Sequence, residues 1–258
     1  MTPDQQALIA RLDGFVSQLH ERLQAVFAEA AGGIADLMQQ RPGELGPIRA
    51  ALGAVESLSK QLLKTLKDSW DQRIEGMFRA HGDDFVSVGE DRVEDARQAI
   101  EQAVERFKLQ QESHCLGAMY PAVQIAMAKT RPCTSCGAPL QLQVPYEAES
   151  VSCSSCRAVN QLMPEPLVSN YFLYGQEIFP AAAAHAIRVE LECAQKLVDR
   201  QLRNTGIRET PEALQQREAL ERRYWETYAT TKASFLRRPV EAALIDGRMA
   251  RFRENARS

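Results

Sequence analysis

The stretch Pro132-Cys133-Thr134-Ser135-Cys136-Gly137, answered by Cys153-Ser154-Ser155-Cys156, decides the reading of this chain. Sixteen residues (137–152) separate the two Cys-x-x-Cys pairs. Two residues between cysteines let one tight turn aim both thiolates at a single ion, and two such turns facing each other complete a tetrahedral four-sulfur shell. Gly137 follows the first pair, where a turn of this kind often needs positive φ. The expected occupant is a structural Zn²⁺ held by Cys133, Cys136, Cys153 and Cys156. Four thiolates also suit iron, so an iron site stays open at this stage. Residues 1–15 lack the basic start and apolar block of an export signal, which disfavours disulfides. Catalytic zinc is disfavoured because a Cys₄ shell keeps no position for water or substrate.

Between the pairs, Leu140, Leu142 and Val144 alternate with Gln141 and Gln143, which is strand periodicity, and Pro145 ends the run. Val151 leads an extended segment into the second pair, and residues 157–160 leave it as a third strand. This is the layout of a zinc ribbon, whose small apolar core leaves the metal to supply most of the folding free energy. The pattern Ala148-x-Ser150-Val151-x-Cys153-x-x-Cys156-x-x-Val159-Asn160, with Leu140 after the first pair, resembles the zinc finger of the plant lesion-simulating-disease type. The resemblance covers about thirty residues. It departs at Gly137, where that family usually has arginine, and in a gap between the pairs about two residues longer. The resemblance implies a zinc ribbon fold and a role in regulation and protein contact.

Working outward, the rest of the chain reads as helix. Thr2-Pro3-Asp4-Gln5 is a capping box with proline at the first helical position. Leu8, Leu12, Phe15, Leu19, Leu23, Val26 and Phe27 follow at helical spacing, with a weak point expected at Gly32-Gly33. After a turn at residues 41–47, Ile48, Leu52, Val55, Leu62, Leu66, Trp70, Ile74 and Met77 form a second stripe ending near His81-Gly82. Two such helices, each roughly 50 Å long at 1.5 Å per residue, predict an antiparallel hairpin with its stripes in a core or coiled coil. A ligand groove is the sharper reading of the second stripe. Ser87-x-x-Glu90 reads as another capping box, with Gly117 and Pro121 as a break before a segment leading into the ribbon. Beyond Met163-Pro164-Glu165-Pro166, the aromatic run Tyr171, Phe172, Tyr174 and Phe179 is either the glue between ribbon and helices or a partner-binding patch. Helices are then expected from Pro180 to about Asn204, from Pro211 to about Arg238, and in a short tail carrying Arg248, Arg251, Arg253 and Arg257. The expected fold is mainly α: a long helical hairpin over residues 1–81, a helical bundle over 82–130 and 167–258, and an inserted β zinc ribbon over 131–166.

Charge and missing motifs narrow the function. The net charge of −3 is uneven: residues 82–185 hold 7 basic and 13 acidic groups, residues 186–258 hold 15 and 11. The ribbon itself is acidic, and a Zn(Cys)₄ centre adds about −2, which disfavours it as a phosphate-binding surface. There is no phosphate-binding glycine loop, no His-Glu-x-x-His and no Gly-x-Ser-x-Gly. His20, His81, His114 and His185 are scattered, while Cys115 and Cys193 read as small buried helix residues. No apolar run approaches the roughly twenty residues that cross a bilayer, so a cytoplasmic, soluble protein is expected. These features favour a non-enzymatic scaffold or adaptor that contacts a protein partner, or a second copy of itself through the N-terminal helices. The alternative is a nucleic-acid-associated regulator using the basic C-terminal helices. An enzyme comes third, with no reaction named.

Overall fold

The computed structural model describes residues 1–206 and 209–256. Arg257, expected in the basic tail, lies outside them. The described residues form helices α1 (Pro3–Gln40), α2 (Leu45–Ser69), α3 (Glu75–Arg79), α4 (Asp83–Met127), α5 (Pro166–Thr205), α6 (Pro211–Leu236) and α7 (Ala242–Asn255). Between α4 and α5 lie four short strands, β1 (Arg131–Pro132), β2 (Pro139–Leu140), β3 (Glu149–Ser152) and β4 (Val159–Leu162). The mainly helical fold with a small β insertion is thus present. The chain divides into two compact units, residues 1–112 and 113–258.

In the first unit, α1 starts as its sequence requires. The Thr2 hydroxyl accepts from the Gln5 N–H, and the Gln5 side chain accepts from the Thr2 N–H at 2.8 Å. Against expectation, α1 runs unbroken through Gly32-Gly33. Each glycine costs about 1 kcal/mol relative to alanine, and the burial of Phe27 and Ile34 on either side holds the helix together. Leu12, Leu19, Leu23 and Ile34 of α1, with Ile48, Leu52, Val55 and Leu66 of α2, are almost fully buried, and Phe27 stacks on Phe107 of α4 at 4.4 Å. The α2 stripe does not run straight to Met77. A π-helical turn at Trp70–Ile74 separates α2 from α3. It adds one residue to the helical period, so Phe78 is fully buried while Met77 is 38% exposed. Phe78 stacks on Phe85 and meets Trp70 edge-on. Gly89 is required there, since a Cβ would lie 2.2 Å from the Trp70 ring.

Three expected breaks are absent. Helix α4 begins at Asp83, directly after Gly82 at φ +104, so Ser87 is an interior residue and not a cap. It also continues through Gly117 and Pro121 to Met127. Pro121 forfeits one bond, to the carbonyl four residues back, which belongs to the side-chain-free Gly117. The buried row Cys115, Leu116, Met119, Val123 and Ala126 keeps the helix going. Likewise the proline-rich exit of the ribbon does not delay the next helix: α5 starts with Pro166 in its first turn and passes through Pro180. In the second unit α5 packs along α6, and α7 packs on α6. Helix α5 ends at Gly206 in the left-handed conformation, and Thr210 caps α6, as read from sequence.

Candidate metal centre

The ribbon is two antiparallel ladders, β1 with β2 and β3 with β4. The expected strand through Val144 is cut to Pro139–Leu140, and residues 141–148 form a loop with a turn at Pro145 and Tyr146. Val151 pairs with Asn160 in the second ladder, so the third strand is present.

Each ladder carries one cysteine turn, and the two turns repeat each other atom for atom. The Cys133 N–H donates to the Ala138 carbonyl at 2.8 Å and the Gly137 N–H to the Cys133 carbonyl at 2.9 Å. In the second turn the Cys153 N–H donates to Ala158 at 2.9 Å and the Arg157 N–H to Cys153 at 2.8 Å. Gly137 sits at φ 74, and Arg157 occupies the same left-handed position at φ 63. A non-glycine residue there costs about 1 kcal/mol, so the turn geometry outweighs that strain.

The four sulfurs lie within 4.8 Å of one another. Cys133 Sγ is 3.7 Å from Cys156 Sγ, and Cys136 Sγ is 3.6 Å from Cys153 Sγ. A tetrahedron with Zn–S bonds of about 2.3 Å has edges of about 3.8 Å, whereas a disulfide needs about 2.05 Å. The donor set therefore fits a metal and not two bridges. Cys133 and Cys153 are buried, Cys136 and Cys156 exposed, so the centre sits at the rim of the ribbon with its shell complete.

Backbone donors prepare the thiolates. The N–H groups of Cys136 and Ser135 point at Cys133 and, with the Asn160 amide and Cys156, bring its thiol down to about 6. The N–H groups of Cys156 and Ser155 lower Cys153 in the same way. Cys136 accepts from the Ala138 N–H, but the facing sulfurs of Cys156 and Cys153 and burial outweigh that, and its thiol is pushed up to about 12. Four sulfurs this close resist being thiolates together without a cation among them.

Asn160 is the site residue to which the sequence reading gave no role. It is buried. Its Oδ1 accepts from the Thr134 N–H and hydroxyl, both at 2.9 Å. Its Nδ2 donates to the Ala158 carbonyl at 3.0 Å and approaches Cys133 Sγ at 3.5 Å. One amide thus ties the second turn to the first. The only signal was its place in the finger pattern.

The ribbon is fastened to the helices of its own unit by Tyr146, from the turns between the ladders. Tyr146 stacks on Phe172 at 4.3 Å, and its hydroxyl donates to the Leu236 carbonyl at 3.0 Å, in the last turn of α6. Arg238 lies over the Tyr146 ring at 5.6 Å and pairs with Glu147. Lys129 and Glu165 form an ion pair at 3.2 Å across the base of the insertion. Of the aromatic run, Tyr171, Phe172 and Phe179 surround Phe235 of α6 at 5.1–5.5 Å between ring centroids. Gly175 leaves room for that ring, since a Cβ there would lie 2.4 Å from it. Tyr171 is buried, at 5% exposure, and Phe172, Tyr174 and Phe179 are half-buried. Cys115 is buried as expected, but Cys193 is exposed. Neither belongs to the centre, and His114 is on the surface of α4.

A family model described as the LSD1 zinc finger matches residues 133–159. Neither curated proteins nor solved structures gave a match to the chain. No helix among the described residues is long and apolar enough to cross a membrane. Finger pattern, turn geometry and sulfur spacing agree: residues 133–159 are a zinc finger of this type, and its four cysteines form a structural zinc site.

Proposed function

We propose that this protein is a non-enzymatic adaptor in which a zinc-stiffened ribbon is presented to a protein partner from a helical scaffold. The observation that carries this reading is the fastening of the ribbon through Tyr146. A flexible tether would leave the ribbon free to reorient, whereas a ring stacked on α5 and hydrogen-bonded to α6 holds it in one attitude. A partner that reads a surface then meets it preorganised, which lowers the ordering cost of binding. The closed sulfur shell favours a structural role for the metal over a catalytic one.

The nucleic-acid reading has less support. Much of the basic charge of the C-terminal helices is already neutralised: Arg223 pairs with Glu190 at 2.8 Å, Lys232 with Glu177 at 2.7 Å and Arg253 with Glu218 at 2.6 Å. Neutralised side chains release few counterions from a phosphate backbone.

Affinity capture of the tagged protein from its own cells tests the proposal, run beside the Cys153→Ser variant. The expected result is a defined partner protein recovered with the parent and lost with the variant. Recovery of the same proteins with both would contradict it. So would steep salt-dependent binding of the purified protein to mixed-sequence DNA or RNA.

A further inference from the structure

The first unit carries a second feature, unrelated to the zinc centre. Where α1 passes the π-helical turn there is a cavity of about 230 Å³. Leu8 and Phe15 of α1 and Ile74 and Met77 across from them give it apolar walls, and Arg11 and Arg73 stand at its rim. Arg73 and Ile74 of the π-helical turn line this pocket. By adding one residue to the period the turn sends Phe78 to the core and turns Met77 outward, leaving a large apolar side chain 38% exposed. Single π-turns inside helices occur often at functional positions.

The pocket is also lined by two positive charges. Arg11 and Arg73 form no ion pair among the described residues, and both are exposed. They stand over an apolar hollow in a chain whose net charge is −3. The volume is below the roughly 300–1,000 Å³ of pockets that enclose a small-molecule ligand. It suits one large apolar side chain.

We propose that this pocket is a docking site for an acidic peptide segment of a partner protein, which inserts one bulky apolar side chain while its Asp or Glu residues meet Arg11 and Arg73. The apolar anchor supplies affinity by leaving water. The carboxylates supply orientation and encounter rate, a division usual at charged interfaces.

Selection of random twelve-residue peptides displayed on phage against the full-length zinc-loaded protein tests this. The expected result is enrichment of sequences in which Leu, Ile, Phe, Met or Trp is flanked by Asp or Glu. A synthetic enriched peptide, followed by fluorescence polarisation, should bind at least tenfold more weakly to the Arg11→Glu/Arg73→Glu variant. Its affinity should also fall with added salt. Both arginines are exposed, so the variant should keep the parent's circular dichroism; Arg73→Gln alone, with a smaller expected loss, serves if it does not. Binding to Cys153→Ser should stay within twofold of the parent, which separates this proposal from the ribbon reading. No enriched motif, enrichment of neutral or basic peptides, or equal affinity for parent and charge-reversed protein would overturn it. So would decanoate binding at this pocket in place of any peptide, which would make it a site for small apolar acids.

Discussion

The ribbon and the N-terminal hairpin stay folded by different means. The hairpin buries long rows of aliphatic side chains, among them Leu12, Leu19, Leu23, Ile34, Leu52 and Leu66. The ribbon's buried cluster is Cys133, Leu140, Cys153 and Leu162, and two of those four are metal ligands. At about 25 cal/mol per Å² of apolar surface removed from water, rows of leucine stabilise a hairpin unaided. Two leucines cannot do so for a thirty-residue insertion of short strands, and the ion must supply the difference. In the hairpin many residues each contribute a little, so its stability is spread out. In the ribbon stability is concentrated in one centre and in the few groups that orient it.

The sharpest way to break this comparison is a core truncation in the hairpin. Leu23 is fully buried, and Leu23→Ala should cost about 2–5 kcal/mol of stability while the protein still binds one equivalent of zinc. Denaturant unfolding with metal analysis would check this. Loss of zinc along with the hairpin would show that the two regions are one cooperative whole.

Asn160→Ala tests concentration within the ribbon. It removes the tie between the cysteine turns and a donor near Cys133. Groups that orient metal ligands are typically worth about 10–100-fold in metal affinity. Competition with a chromophoric chelator should show a weakening in that range with helical circular dichroism unchanged. An unchanged zinc affinity would show that Asn160 only fills space.

The smallest effect is expected at the fastening between ribbon and helices. Tyr146→Phe keeps the stacking on Phe172 but removes the hydrogen bond to the Leu236 carbonyl, one of the last carbonyls of α6, which have no partner within the helix. A loss of about 0.5–1.5 kcal/mol is expected, seen as a fall in thermal midpoint of about 1–6 °C. A midpoint equal to the parent's would mean that ring stacking alone holds the ribbon in place.

What could be read in the sequence divides along the same physical line. The zinc ligands were legible because two Cys-x-x-Cys turns are local and their geometry is set by one ion. The cap at Thr2 and the left-handed end at Gly206 were legible for the same reason: each depends on a few consecutive residues. Helix α4 through Pro121 and α5 through Pro180 were not. Proline is a local signal to stop, and rows buried against other elements, such as Leu116, Met119 and Val123, overrode it. The π-helical turn hid in a stripe that counts as well to Met77 as to Phe78, and only packing chooses between them. Tyr146 hid more completely. It is one aromatic residue in a turn, and its partners Phe172 and Leu236 are 26 and 90 residues away.

Amide hydrogen exchange before and after chelation of the metal tests the central claim most directly, that one ion folds the ribbon while the helices fold without it. The account predicts that protected amides of residues 131–162 lose their protection once zinc is removed, while those of α1, α2 and α6 keep theirs. Protection of the ribbon unchanged without metal, or lost through α5 and α6 together with it, would contradict the account.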